Sequence, residues 1–179
     1  MKHIIYILSL LFLLSCNDKP VKENTGTVNV PKTDSINIAD GKRWIKGNIE
    51  SFFNNDSLFL KGFASLCTKQ YAEFKQDAIS IEYDGMTEEE LKTKWGRRYS
   101  KYAGIGEGFM IAGQDYGKVS VTECEFKNKT EMGNYLYDVV IVDTVFHSTF
   151  LRQVVLTKTR DAFLIDDVLE IKNQFKGEK

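Results

Sequence analysis

The side chains able to move protons or bind metal are few and scattered. The histidines are His3 and His147, and only His147 lies beyond the apolar N-terminal run. A hydrolytic triad needs a histidine held between a nucleophile and an acid, and a zinc site needs several His, Cys or carboxylate ligands at set spacings. Neither HExxH nor CxxC occurs, and His147 falls in the turn between two strand-like segments, so no catalytic residue, metal or cofactor is expected. The glycines of "AGIGEGF", Gly104, Gly106 and Gly108, lack the following Lys-Ser/Thr pair of a phosphate loop. They are better suited to turning the chain from helix into sheet. Carboxylates and tyrosines remain. In Gln114-Asp115-Tyr116-Gly117, Asp115 either orients a ligand or closes an Asx-turn before the glycine. Asp138 and Asp143, with Tyr135 and Tyr137, either line a pocket mouth or face water at strand ends. Asp166-Asp167 has the look of a bulge with one carboxylate solvated. The candidate ligand-binding set is therefore Gln114, Asp115, Tyr116, Tyr135, Tyr137 and Asp143.

The elements that must position these residues follow from hydrophobic periodicity. Ile45, Ile49, Phe52 and Phe53 recur at helical spacing and predict a helix over about 40–54. A second helix is expected over about 57–76, capped by Asp56 and broken near Gly62 or Thr68, with Phe59, Phe63, Leu66, Gln70, Tyr71 and Phe74 along one side. Thr87 and Glu90 have capping-box spacing and open a third helix, expected to run to about Lys101. At most one short strand, Ile79 to Gly85, is expected before it. Beyond it the period drops to two. "GKVSVTECEF" alternates, then slips phase as a β-bulge would cause, and "NYLYDVVIVDTVF", "TFLRQVVLTKT" and "AFLIDDVLEI" complete four strands joined by short turns. The expectation is an α+β domain: N-terminal helices packed on a curved antiparallel sheet of four or more strands, cone-like in outline. Cys67, read as helical, and Cys124, read as a strand residue, are either bridged or separately buried as small apolar side chains.

The N-terminus concerns address rather than chemistry. Lys2 precedes the apolar run Ile4–Leu14, whose length suits a signal-peptide core and falls short of the about 20 residues a membrane-spanning helix needs. Leu13-Leu14-Ser15-Cys16 resembles the lipobox of bacterial lipoproteins, though Leu14 is larger than the residue commonest at that place. The resemblance implies cleavage after Ser15 and lipidation of Cys16. Asn17 follows, where the lipoproteins of enteric bacteria carry aspartate as an inner-membrane retention mark, so the implied address is the cell envelope, at the outer membrane. Residues 16–38 hold both prolines and no helical stripe, and are expected to be a tether with a coil dimension of roughly 25 Å. Residues 39–179 are expected to form one domain.

The chain carries 24 basic and 25 acidic side chains, and losing the leader removes only Lys2 among them. So balanced a charge argues against a nucleic-acid-binding face. Three helices leading into a curved sheet that ends in Phe163-Leu164-Ile165-Asp166-Asp167-Val168, with "GEGFMIAGQDYGKVSV" before the sheet, resemble bacterial lipoproteins of unassigned function with a nuclear-transport-factor-2-like, cystatin-like domain. That resemblance implies a cone with an internal pocket. Three functions follow as expectations: a noncatalytic domain binding a small apolar or glycan-like ligand; a module for a protein partner, such as an immunity protein; and an isomerase or hydratase with Asp115 or Asp143 as base. The expected partners are the membrane, through acyl chains, and either that ligand or that protein.

Overall fold

The computed structural model describes residues 32–83, 85–99, 108–113 and 115–175. Helix α1 spans Lys32–Asn54, α2 Asp56–Phe59, α3 Lys69–Ser80 and α4 Glu88–Trp95, with 3-10 turns at Phe63–Leu66 and Ile81–Tyr83. Strands β1 (Val119–Lys129), β2 (Tyr135–Asp143), β3 (Ser148–Lys158) and β4 (Phe163–Gln174) follow. They form one antiparallel sheet in the order β1-β2-β3-β4. The architecture is α+β, as the periodicity implies: helices over one face of a curved sheet.

Helix α1 buries Ile45, Ile49, Phe52 and Phe53 against the sheet. It begins at Lys32, inside the segment expected to be tether, because contacts with β2 hold its first two turns. Asn37 donates to the Tyr135 hydroxyl at 3.1 Å, and the Tyr137 hydroxyl donates to the Ile38 carbonyl at 3.1 Å. Gly41 makes the second contact possible, since a Cβ there would lie 2.2 Å from the Tyr137 oxygen. Glycine costs a helix interior about 1 kcal/mol, and here it lets a buried phenol reach the backbone.

The expected second helix is three pieces, and Ile79–Gly85 holds the end of α3 and a 3-10 turn instead of a strand. Asn55, one residue before the expected cap, accepts from the Ser57 and Leu58 amides and starts α2. Gly62, at φ +76°, breaks the chain, and Thr68 caps α3 by accepting from the Tyr71 amide. The breaks reset the helical phase, so Tyr71 and Phe74 are core while Phe59 is 44% exposed. Helix α4 opens on the Thr87–Glu90 capping box but ends at Trp95, ahead of Gly96. Tyr99 nevertheless stays in the core, stacked on Phe74 with ring centroids 4.4 Å apart.

In the sheet, Tyr135, Tyr137, Val139 and Ile141 of β2 face the helices and are buried, opposite Leu156, Val154, Arg152 and Phe150 of β3. The expected phase slip in β1 is a register shift between Val121 and Glu123. A second, between Phe126 and Asn128, further twists this edge strand, whose exposed Glu123, Glu125 and Lys127 discourage pairing with another chain. At the other edge, Cys67 makes a parallel bridge to Ile165, so it lies beside β4 and not in a helix. Cys124 lies on β1 at the far side of the sheet. With strands spaced about 4.8 Å apart, these thiols sit well beyond the roughly 7 Å Cα separation a disulfide tolerates, and both are free.

Candidate functional site

The end of α1, the short helix α2, the Phe63–Leu66 turn and the loop leading into β1 line a half-open cavity of about 320 Å³. Its walls are Phe52, Phe53, Phe59, Phe63, Phe109, Ile111 and Tyr116, with glycines at 62, 108 and 113. The rings brace each other. Phe52 meets Phe109 edge-on at 5.4 Å, Phe53 meets Tyr116 edge-on at 5.3 Å, and Phe63 stacks on Phe109 at 5.1 Å. Such pairs are each worth about 0.5–1.5 kcal/mol beyond their buried area, so the walls are preformed. Among the described residues the Tyr116 hydroxyl is the lining's sole ionisable group. Burial, and secondarily the Asp56 charge, raise its pKa, which keeps it a neutral donor. The arrangement can hold an apolar molecule and offers it one hydroxyl.

Arg152 sets one wall of this cavity. It occupies an inward position of β3 and is 1% exposed. Its Nε donates to the Met110 carbonyl at 2.7 Å, and its other nitrogens donate to the Leu151 and Lys172 carbonyls and, at 2.7 Å, to Asn173 Oδ1. Glu170, opposite it on β4, lies 3.6 Å away and also 3.6 Å from Lys75 Nζ of α3. Met110 adopts φ +66°, a left-handed conformation that a non-glycine residue rarely takes without tertiary support. The guanidinium supplies that support and so directs Phe109 and Ile111, on either side of Met110, toward the cavity. Sequence reasoning did not single out Arg152; its signal was a charge at an inward position of an otherwise apolar alternation.

Of the described candidate ligand-binding residues, Tyr116 alone lines the cavity. Asp115 is exposed beside it. Asp143 is buried, away from water, and is not part of this cavity's lining. Its carboxylate accepts from the Gly117 amide at 2.7 Å and from the Val145 and Phe146 amides at 2.8 and 3.1 Å, fixing the β2–β3 turn. Tyr135 and Tyr137 lie under α1, engaged by Asn37 and Ile38. His147 is exposed in the turn at φ +55°. Asp138 pairs with Lys127 at 3.0 Å and accepts from Gln153. Gln114 and Cys16 lie outside the described residues.

Asp166 and Asp167 do form a bulge, since Val155 pairs with Asp167 and Leu156 with Ile165. Asp166 is buried and held by Arg98, Thr68 and Asn134, while Asp167 keeps partial exposure. Burial raises the pKa of Asp167 to about 6, partly offset by the Val168 amide and Arg98. Neither carboxylate is part of the cavity lining.

Among the described residues no group of three His, Cys, Asp or Glu side chains is placed to hold a metal ion. No helix there is long and apolar enough to cross a membrane. Comparison with known proteins finds no matching family model, no curated relative and no solved structure of significant similarity.

Proposed function

We propose that this chain is an exported lipoprotein of a bacterial cell envelope, lipidated at Cys16 and held at the outer membrane, whose domain, of nuclear-transport-factor-2-like kind, binds a small apolar ligand without transforming it. The observation that carries the binding reading is the cavity itself: about 320 Å³, walled by five phenylalanines, with no charged side chain among its described lining. An apolar cavity of about 150 Å³ already holds benzene, and ligand sites start near 300 Å³. A bicyclic hydrocarbon therefore fits, and a glycan, which needs many hydrogen-bonding partners, fits these walls poorly. Calorimetric titration with naphthalene tests the reading. The protein binds it, and Phe59→Ala, which removes a half-exposed wall whose ring meets the core at Phe52, weakens binding severalfold to tenfold. Absence of binding, or binding indifferent to Phe59→Ala, sinks the proposal.

A second reading, a module for a protein partner, is favoured by one surface feature. Val145 packs against Gly117, and Tyr116 contacts Phe59, so exposed Phe59 and Val145 flank the Tyr116–Gly117 segment, each followed in the chain by an exposed apolar residue, Leu60 and Phe146. Leu60 is 84% exposed and Val145 58%. Exposed apolar surface marks interaction sites where it is contiguous.

A further inference from the structure

Phe63 is a wall with space on both sides. Behind it lies the aromatic cavity. In front of it, along α3, lies a groove of about 540 Å³ that shares Gly62 and Phe63 with the cavity. Besides Gly62 and Phe63, its lining combines the small apolar Ala64, Cys67 and Ala72 with the polar Lys69, Glu73 and Gln76. Cys67 belongs to the apolar part, because burial pushes its pKa up to about 12 and the thiol stays neutral. The dividing ring is held from the cavity side by its stack on Phe109 and is itself only part-buried. Neither α2 nor the Phe63–Leu66 turn contains a buried residue, and Gly62 at φ +76° is a flexible joint between them.

We infer that cavity and groove are one site for a single-chain amphiphile with an anionic head, an alkyl carboxylate. Its chain lies among the phenylalanines, passes Phe63, and leaves its head at Lys69. This inference rests on the apolar-cavity reading and adds the ligand's shape and head group. A compact arene fills the cavity alone, whereas a chain with a charged end uses both spaces, its apolar part in the cavity and its head among the polar side chains of the groove. Lys69 suits an anionic head on two counts. It stands in the first turn of the twelve-residue helix α3, where the backbone dipole favours negative charge. Its side chain is 91% exposed, and its partner Glu73 is 3.8 Å away, a spacing and exposure at which an ion pair contributes little and is readily exchanged. Glu73 lies one turn farther along the helix, on the side away from that dipole end.

The test is a titration of the full-length chain with straight-chain carboxylates from hexanoate to dodecanoate, below their micelle concentrations, beside dodecanol and naphthalene. Affinity rises about threefold to fourfold per added methylene as the chain enters apolar space. Dodecanoate binds more tightly than dodecanol, and Lys69→Glu weakens dodecanoate about fivefold while leaving naphthalene unchanged. Lys69 is exposed and outside the core, so the variant folds. If naphthalene binds but affinity is flat with chain length, the amphiphile inference is overturned and the cavity reading stands. If dodecanol and dodecanoate bind alike and Lys69→Glu alters neither, the anionic-head assignment is overturned. If nothing binds, the cavity reading itself fails.

Discussion

At the scale of single residues, the fold places several polar groups where apolar ones would cost less, and Asp167 can be tested most directly. Its pKa rises from 3.8 to about 6, chiefly because burial disfavours the charged form. A carboxyl more easily protonated in the folded state than in the unfolded chain favours folding fully below pH 4, and that contribution is lost as pH rises through 6. At neutral pH the native state thus carries a partly buried charge that costs it about 1–3 kcal/mol. Asp167→Asn removes the charge and keeps an oxygen for the Val168 amide, which Asp167 receives at 2.8 Å. Thermal melts then show a Tm higher than wild type by several degrees at pH 7 and nearly equal at pH 4. An equal gain at both values means that the stabilisation has another source. Asp143 is the opposite case. Three amide donors satisfy its buried carboxylate, which makes it part of a turn and not the base of a reaction.

At the scale of elements, sequence was informative wherever a signal is local and silent wherever the partner is distant. The capping box of α4 needs only Thr87 and Glu90, three residues apart, and the β1 bulge only the phase of its own side chains. Both were legible. The start of α1 was not, because its first turns are held by Tyr135 and Tyr137, about 100 positions away. The cavity was not legible either, since its walls come from α1, the broken segment around Gly62 and the loop before β1. Arg152 illustrates why: its donors reach Met110, 42 residues back, and Lys172 and Asn173, 20 and 21 residues on. Removing one member of such a buried charge set costs about 3–5 kcal/mol, here because Glu170 is left to Lys75 and the Met110 and Lys172 carbonyls and Asn173 Oδ1 lose their donor. Arg152→Met therefore lowers stability by about that amount. At a temperature where the variant remains folded by circular dichroism, it also weakens naphthalene binding more than tenfold, as Phe109 and Ile111 lose their fixed direction. Unchanged affinity in a folded, destabilised variant indicates that the loop is held without the guanidinium.

At the scale of the whole molecule, the proposed address and the proposed site make separate demands. The described residues contain no helix suited to crossing a bilayer, so on this reading retention at the membrane falls to acyl chains on Cys16. A single acyl chain binds membranes only marginally, while two or more hold stably, each buried methylene contributing about 0.8 kcal/mol. The exposed side chains of Phe59, Leu60, Val145 and Phe146 are too small an apolar area to replace them. Cys16→Ser consequently moves the protein from the membrane pellet to the soluble fraction after an alkaline wash, which strips peripheral contacts and leaves lipid anchors in place. Because Cys16 lies far in sequence from every wall of the cavity, the released protein binds naphthalene as tightly as the anchored one. A variant that still sediments with washed membranes removes the lipoprotein reading and leaves the cavity untouched. Release with loss of binding ties ligand capture to the bilayer itself, and the membrane then becomes part of the site.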